Sequence, residues 1–316
     1  MNLTDPIFAD ADKAREHLEK TRWPHGPVCP HCGSVDDATN VGGKAARPGV
    51  YQCNAKECRQ QFSVTVGTVF ESSKVPLNKW LLATYLMSSS KKGVSAHQLH
   101  RTLGVTYKTA WFMAHRIREA MNPADPAPIG GQGKVVEVDE TFVGGKEKNK
   151  HVSKRSKGVG PGAWRMEPVV TLVERDGRAR SFHVASITSK TLRPIIVQTA
   201  DRASHLMTDG ARMYPAVGKE FAAHSVVDHT AGEYARMGFH HSNTVENYFS
   251  ILKRGVTGVY HHVSPAHLAR YLAEFDFRYS HRSGLGIDDE LRTNEVLRHL
   301  GGKRLTYRRS DEGAHA

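Results

Sequence analysis

The stretch KVVEVDETFVGG, residues 134–145, decides the fold of the second half of the chain. Its closely spaced valines predict a β-strand, and this strand carries Asp139 near its end. A second apolar stretch, SHLMTDG at residues 204–210, predicts a strand that ends on Asp209. Both carboxylates are therefore expected at strand ends, where open α/β sheets carry their functional side chains.

The segments between these strands predict a mixed α/β sheet. Residues 168–184, PVVTLVERDGRARSFHV, have the pattern of a β-hairpin that turns at Asp176-Gly177. Residues 189–200, SKTLRPIIVQTA, are typical of a crossover helix that leads into the next strand. Strands followed by helices in this way imply a sheet covered by helices, with its site at the strand ends.

A third carboxylate lies on an amphipathic helix. Residues 244–255, TVENYFSILKRG, separate at 100° per residue into an apolar side and a polar side. Glu246 lies on the polar side with Asn243 and, nearly two turns later, Lys253. Three acids from distant segments can thus meet at one point, which is how a divalent-metal phosphoryl-transfer site is built. Taken singly, each acid is more often a turn, cap or surface residue, and only their joint occurrence favours catalysis.

The composition favours a polyanionic substrate. The 316 residues carry a formal net charge of +12 and a pI of about 9.6, in the range of nucleic-acid-binding proteins. No stretch approaches the roughly 18 consecutive apolar residues of a membrane helix, and the first residues lack the pattern of a signal peptide. We therefore predict a cytoplasmic protein without a membrane partner.

Four cysteines predict a structural zinc site. They form two short knuckles separated by twenty residues: Cys29 and Cys32, then Cys53 and Cys58. Two such turns supply the four soft ligands of a tetrahedral zinc ion, and this site is closed to water and non-catalytic. A redox pair and plain buried thiols are the alternatives, and the predicted intracellular setting favours zinc over both.

Residues 95–121, SAHQLHRTLGVTYKTAWFMAHRIREAM, have the pattern of a helix-turn-helix. Ser95 and Thr106 are predicted N-caps of two helices, and Gly104 ends the first of them. The second helix would offer three side chains to DNA: Tyr107, Lys108 and Arg116. An ordinary helical hairpin is the alternative, but the neighbouring zinc ribbon and the basic charge favour DNA binding.

A basic loop is predicted after the first strand, at residues 144–162, GGKEKNKHVSKRSKGVGPG. Taken by itself, it is best explained as a solvated loop. Beside a phosphate-processing site, its charge suits contact with the DNA backbone, which needs no sequence readout. The side chains assigned to this contact are Lys146, Lys148, Lys150, Lys154 and Arg155, together with Lys253 and Arg254 of the amphipathic helix.

Five segments match one known family. They read RWPHGPVCPHCGS, VEVDETFVGGK, MTDGARMYPAV, HSNTVENYFSILKRGVTGVYHHVSP and RYLAEFDFRYSHR, and together they span most of residues 20–282. The chain resembles a bacterial insertion-sequence transposase of the zinc-ribbon-bearing DDE group. The resemblance implies an RNase H-like catalytic domain of α/β class, a mixed sheet with helices on both faces, preceded by a small zinc ribbon and a helix-turn-helix.

The resemblance also implies the residues of the site. A DDE triad followed by a lysine falls on Asp139, Asp209, Glu246 and Lys253. Asn243 is the alternative third residue, because relatives in this group can carry asparagine there. The acids would hold two Mg²⁺ ions, with Mn²⁺ as a substitute, while the cysteines hold structural Zn²⁺.

The implied function is that of a DNA transposase. Such a protein binds the terminal inverted repeats of an insertion sequence, cleaves phosphodiester bonds and transfers the freed strand into target DNA. Its partner is double-stranded DNA, both transposon ends and target, and a dimer or larger assembly is expected because two ends are held together. Two alternatives stay open: a catalytically silent DNA-binding regulator derived from a transposase, and a nuclease that cuts without joining.

The sequence predicts six segments along the chain. They are an N-terminal helix and lead-in at 1–24, the zinc ribbon at 25–70, the helix-turn-helix at 71–122, a proline- and glycine-rich linker at 123–133, the catalytic domain at 134–300 and a polar tail at 301–316.

Overall fold

The computed structural model describes residues 1–43, 47–123, 126–144, 166–227 and 241–306. The chain divides into two compact units. The first unit comprises Met1–Pro123 and Ile287–Ala316, and the second comprises Ala124–Gly286. No helix among the described residues is long and apolar enough to cross a membrane.

The first unit begins with a helix and a small antiparallel sheet. Helix α1, Ala11–Arg22, begins at Asp10, whose carboxylate accepts hydrogen bonds from two amides of the first turn. The sheet has the order β1-β2-β3, formed by Ala38–Asn40, Tyr51–Cys53 and Gln61–Phe62. Trp23 at the end of α1 packs edge-on against the rings of Tyr51 and Phe62, which joins the helix to the sheet.

Three helices of the first unit follow the small sheet: α2, Leu77–Ser89, α3, Ala96–Leu103, and α4, Tyr107–Met121. Gly104 ends α3 with a φ of 60°, a left-handed conformation that glycine adopts without strain. Thr106 then caps α4, because its hydroxyl accepts a hydrogen bond from the amide of Thr109 at 3.2 Å. This local structure is the helix-turn-helix that the sequence predicts.

The second unit contains a five-stranded mixed sheet. Its strands are β4, Val135–Val143, β5, Glu167–Glu174, β6, Ala179–His183, β7, His205–Asp209, and β8, Ala223–Val227. The order across the sheet is β6-β5-β4-β7-β8. β4, β5 and β6 pair antiparallel, whereas β7 and β8 continue the sheet parallel to β4. Three antiparallel strands extended by two parallel ones form an RNase H-like sheet, which confirms the predicted fold class.

The described residues of the second unit form four helices. They are α5, Ser189–Thr199, α6, Pro215–Gly218, α7, Asn243–Gly255, and α8, Pro265–Ser280. The observed α5 agrees with the crossover helix predicted at residues 189–200. A short π-helical turn, Val256–Tyr260, follows α7 directly.

The side chains of β4 alternate between two hydrophobic cores. Val136 and Val138 lie in the core that includes α5, whereas Val143 lies in the core that includes α7. Successive residues of a strand point to opposite faces of the sheet. Glu137 and Asp139 therefore share the face of Val143, on which α7 packs.

Part of the predicted linker takes part in the second unit. Ile129 is fully buried, and its amide donates to the carbonyl of Thr199 at 2.8 Å. Its own carbonyl accepts from the amide of Asp201, also at 2.8 Å, so that Ile129 and Ala200 form a parallel bridge. This backbone pairing has no signature in a proline- and glycine-rich sequence, because it depends on the partner segment.

The chain returns to the first unit after α8. Helix α9, Asp289–Arg298, packs against α1, α2 and α4. Its Arg292 donates a hydrogen bond to the carbonyl of Ser88 at 3.2 Å. The two units thus divide at Ile287, whereas the sequence places the end of the catalytic domain at residue 300.

Candidate functional site

Asp139 lies on the central strand of the five-stranded sheet. Its Oδ1 accepts a hydrogen bond from the amide of Glu140 at 2.7 Å. Burial raises the pKa of Asp139 to about 7, and the negative charges of Glu140, Asp209 and Glu246 act in the same direction. The other two predicted acids are therefore close enough to Asp139 to repel its charge. This excess of negative charge suits a site for a cation.

Asp209 ends β7, the parallel neighbour of β4. The register between these strands sets Val135 beside His205 and Glu137 beside Met207. Continued for two more residues, this register would set Asp139 beside Asp209. Neighbouring strands are about 4.8 Å apart, so the two carboxylates would leave the same face of the sheet. Oδ1 of Asp209 also accepts from the amide of Ala211 at 3.0 Å, which fixes the turn after the strand.

Glu246 lies in the first turn of α7, as the helical periodicity predicts. Its Oε1 accepts a hydrogen bond from the hydroxyl of Ser242 at 3.3 Å. A carboxylate near a helix N-terminus is stabilised by the helix dipole. Asn243, the alternative third residue, begins the same helix and is also exposed. The negative charge of Glu246 contributes to the raised pKa of Asp139, whereas Asn243 is neutral.

Lys253 is exposed in the last turn of α7. It borders a cleft of about 420 Å³, to which the end of β4 contributes Glu140 and Phe142. Arg254 beside it is exposed as well. A positive charge therefore lies along a cleft at the end of β4, the strand that carries Asp139, which is a suitable place for a phosphate.

Glu140 faces away from α7 and has a partner of its own. The hydroxyl of Tyr214, in the segment after Asp209, donates a hydrogen bond to its Oε2. Burial raises the pKa of Glu140, and the charge of Asp209 adds to this effect. Tyr214 is fully buried, so this contact ties the turn after β7 to β4.

Sequence reasoning missed one charged side chain of this region, Glu137. It is fully buried in β4, two residues before Asp139. Its Oε1 accepts from Nε of Arg175 at 2.6 Å, and its Oε2 accepts from the amides of Thr244 and Val245 at 2.9 and 3.0 Å. The available signal was a glutamate within a run of valines, where a charge is expected only if it is paired.

The four cysteines come together as predicted. Their sulfur atoms all lie within 4.8 Å of one another, with 3.7 Å between Cys29 and Cys58 and 3.6 Å between Cys32 and Cys53. Sulfurs about 2.3 Å from a tetrahedral zinc ion lie about 3.8 Å apart, so the cluster fits zinc. Ser34 lowers the pKa of Cys32 to about 6 through hydrogen bonds, which favours the thiolate that a metal binds.

The residues predicted to contact DNA are placed differently from one another. Tyr107 is 45% exposed and stacks on His97 with 4.3 Å between ring centres, and Lys108 beside it is exposed. Arg116 is only 7% exposed, and its guanidinium donates to the carbonyl of Glu71 at 2.6 Å. Arg116 thus binds a partner within the protein, whereas Tyr107 and Lys108 are exposed at the start of α4. Five further predicted residues lie outside the described residues: Lys146, Lys148, Lys150, Lys154 and Arg155.

Two family models match the chain. The transposase zinc-ribbon domain matches residues 9–61, and the ISXO2-like transposase domain matches residues 130–280. A protein of Halobacterium salinarum, "Uncharacterized protein in transposable element ISH50", is 30% identical over 280 residues, which cover 86% of this chain and 91% of that protein. The chain belongs to the ISXO2-like transposase family. The first model contains all four cysteines, and the second contains the three acids and Lys253.

A solved structure is also similar in part. In the cryo-EM structure of the simian T-cell lymphotropic virus intasome in complex with PP2A regulatory subunit B56 gamma, the matching chain is 17% identical with a TM-score of 0.28. The match covers 57% of this chain and 63% of that chain. A likeness of this size carries no argument about function, and the RNase H-like assignment rests on the strand order. Membership of the ISXO2-like family places the chain in the transposase and nuclease class, with a zinc ribbon and a divalent-metal catalytic domain.

Proposed function

We propose that this ISXO2-like transposase binds the terminal inverted repeats of its element, cleaves a phosphodiester bond there and joins the freed 3′ end to target DNA. The observation that carries the proposal is the position of Asp139. It lies on the central strand, within electrostatic reach of Asp209 and Glu246, in a place where burial already disfavours its charge. A cation bound beside Asp139 would offset the repulsion between these charges.

The three acids are proposed as the ligands of two divalent cations, Mg²⁺ or Mn²⁺. Carboxylate oxygens are the ligands that these hard ions prefer. Asp139, on the central strand, would hold these ions together with the other two acids. Asp209 and Glu246 would each hold one. Once bound, such ions stabilise the attacking and the leaving oxygen of an in-line displacement. Asn243 would support the site from the start of α7.

The remaining residues bind and orient the DNA. Lys253, which borders the cleft at the end of β4, and Arg254 beside it contact backbone phosphates, as charges that need no sequence readout. Tyr107 and Lys108 are exposed at the start of α4, the part of a recognition helix that reaches base edges. The basic loop after β4 is proposed to hold the target backbone. The burial of Arg116 favours a role in packing over contact with DNA.

The zinc ribbon is proposed as a structural element. Four cysteine ligands leave no open position for water, so this site takes no part in the chemistry. Two copies of the chain are proposed to act together on DNA, since both ends of an element must be joined to one target.

One experiment separates this function from its alternatives. The purified protein is incubated with Mg²⁺, a labelled transposon end and a target plasmid. Joined products identify a transposase, cleavage without joining a nuclease, and binding without cleavage a regulator. Asp139→Ala and Asp209→Ala are expected to abolish cleavage and joining while the protein still retards the labelled end in a gel. Mg²⁺-dependent joining by either variant would refute the assignment of the acids.

A further inference from the structure

Glu137 has the hydrogen-bonding pattern of a helix cap that comes from another part of the fold. The residue before α7, Ser242, makes no side-chain cap hydrogen bond to the helix. The amides of Thr244 and Val245 instead donate to Oε2 of Glu137, at 2.9 and 3.0 Å. The hydroxyl of Thr244 donates to Oε1 at 2.9 Å. A carboxylate at this place satisfies amides that have no partner within the helix and interacts favourably with the helix dipole.

Arg175 completes the contact between the strands and α7. Its Nε donates to Glu137 at 2.6 Å, so the carboxylate is paired although it is fully buried. Its Nη2 donates to the carbonyl of His241 at 2.7 Å, just before α7, and lies 3.0 Å from Sδ of Met207 on β7. A single guanidinium thus touches β4, β7 and the residues that lead into α7.

The residues of this cluster stand in a fixed relation to the three acids. Glu137 precedes Asp139 by two residues, Met207 precedes Asp209 by two, and Thr244 precedes Glu246 by two. In a strand, residues two apart lie on the same face, about 6.6 Å from each other along the chain. Glu137 and Met207 therefore lie on the same strand faces as Asp139 and Asp209, and Thr244 lies in the same first turn of α7 as Glu246. The cluster of Glu137, Arg175, Met207 and Thr244 thus touches every element that carries one of the three acids.

We propose that Glu137 is a positioning residue, which holds the first turn of α7 against β4 and so sets the distance of Glu246 from Asp139. This inference rests on the proposed function for its catalytic consequence, but the cap itself is independent of it. Glu246 lies on a helix, so no strand pairing holds it to the sheet. The hydrogen bonds from Thr244 and Val245 to Glu137 hold the start of this helix to β4, so the cluster affects the site as well as stability. Residues that orient metal ligands typically change metal affinity or activity by about 10- to 100-fold when they are replaced.

The test compares Glu137→Gln with a matched control, Glu274→Gln. Glu274 is also a fully buried glutamate paired with an arginine, Arg278 of its own helix α8. In Glu137→Gln the side-chain NH2 group must face either Arg175 or the amides of α7. All of these groups are hydrogen-bond donors, so at least one hydrogen bond is lost. Thr244→Val is a milder second variant, because it removes only the hydroxyl bond to Glu137 and leaves the charged pair in place.

Three quantities are measured on each full-length variant. The affinity for Mn²⁺ is titrated calorimetrically on the protein alone, hydrogen exchange is followed at the amides of Thr244 and Val245, and strand transfer is measured with a labelled end. For Glu137→Gln we expect faster exchange at both amides, about 10- to 100-fold weaker Mn²⁺ binding and a similar loss of joining, with binding of the labelled end unchanged. Thr244→Val should change the same quantities in the same direction by less.

The control decides between positioning and plain stability. If Glu274→Gln weakens Mn²⁺ binding as much as Glu137→Gln does, the effect is a general loss of stability and the proposal is overturned. It is also overturned if Glu137→Gln and Thr244→Val both leave Mn²⁺ affinity unchanged. If the wild-type protein cleaves and joins nothing, the proposed function fails, but the exchange and Mn²⁺ measurements still test the role of Glu137.

Discussion

Asp276 of α8 is expected to make the second unit more stable in mild acid than at neutral pH. Its Oδ1 accepts hydrogen bonds from the hydroxyls of Tyr248 and Ser181, at 2.5 and 2.7 Å, and its Oδ2 accepts from the amide of Ser181 at 2.7 Å. Burial nevertheless raises the pKa of Asp276 to about 6, against 3.8 for a free aspartate. The folded state therefore holds a proton that the unfolded chain releases.

The size and direction of the effect follow from these two values. The stability contributed by this proton is fully present below about pH 4 and is lost as pH rises through about 6. A pKa shift of this size corresponds to an upper limit of about 3 kcal/mol of stability. Because solvent reaches part of the residue, we expect a contribution of about 1–3 kcal/mol. Asp276→Asn removes the titration while keeping the shape, since the hydroxyls of Tyr248 and Ser181 can turn to accept from the new amide.

The assay is native-state hydrogen exchange at the amides of β5 and β6, from pH 4.5 to 7.5. Exchange reports the opening of this unit alone, whereas a single melting temperature is poorly defined for a chain of two units. The free energy of opening in the wild type, minus that in Asp276→Asn, is expected to fall as pH rises through 6. Tyr248→Phe removes a hydrogen bond that stabilises the charged form of Asp276. In this variant the free energy of opening should therefore fall at a higher pH than in the wild type. A wild-type-minus-variant difference that is constant or that increases with pH would falsify the reasoning.

Three other predictions concern zinc, DNA and packing. Cys32→Ser should lower the zinc content from one ion per chain, and X-ray absorption of the wild type should show four sulfurs at about 2.3 Å; fewer sulfurs would contradict the four-cysteine site. Lys108→Ala should weaken binding of a labelled end and reduce the slope of log affinity against log salt by about 1. Arg116→Ala should instead chiefly lower the free energy of opening that hydrogen exchange reports at the amides of α4. If Arg116→Ala weakened binding of the labelled end and Lys108→Ala did not, Arg116 would be assigned to the DNA-binding surface. Phe249→Ala in α7 is expected to cost about 3–5 kcal/mol of stability by leaving a cavity, and a loss under 1 kcal/mol by hydrogen exchange would argue against the packing described.

The sequence predicted the elements that local patterns determine. The apolar runs before Asp139 and Asp209 became β4 and β7, and the two-sided pattern around Glu246 became α7 with its apolar side in the core. The four cysteines met because their knuckle spacing already limits the geometry. For the strands, the helix and each single knuckle, the information lies within about ten neighbouring residues.

Features that depend on distant partners could not be predicted in this way. Arg116 has the spacing of a recognition residue, but its guanidinium is held by the carbonyl of Glu71 and lies over the ring of Trp80. Glu137 looked like one polar residue in an apolar strand until Arg175 and the start of α7 came beside it. Partners 38 to 107 residues away in the chain leave no local periodicity to read.

The position of α9 makes the second unit an insertion within the first. Val296 and Leu297 are fully buried, and α9 packs on helices that precede it by more than 160 residues. A nascent chain therefore cannot finish its first unit until α9 has left the ribosome, well after the second unit is complete. A shortened fragment that stops before α9 would likewise expose the apolar surface of α2 and would be prone to aggregate. Any attempt to study the first unit separately should rejoin its two pieces by a short linker in place of the inserted unit.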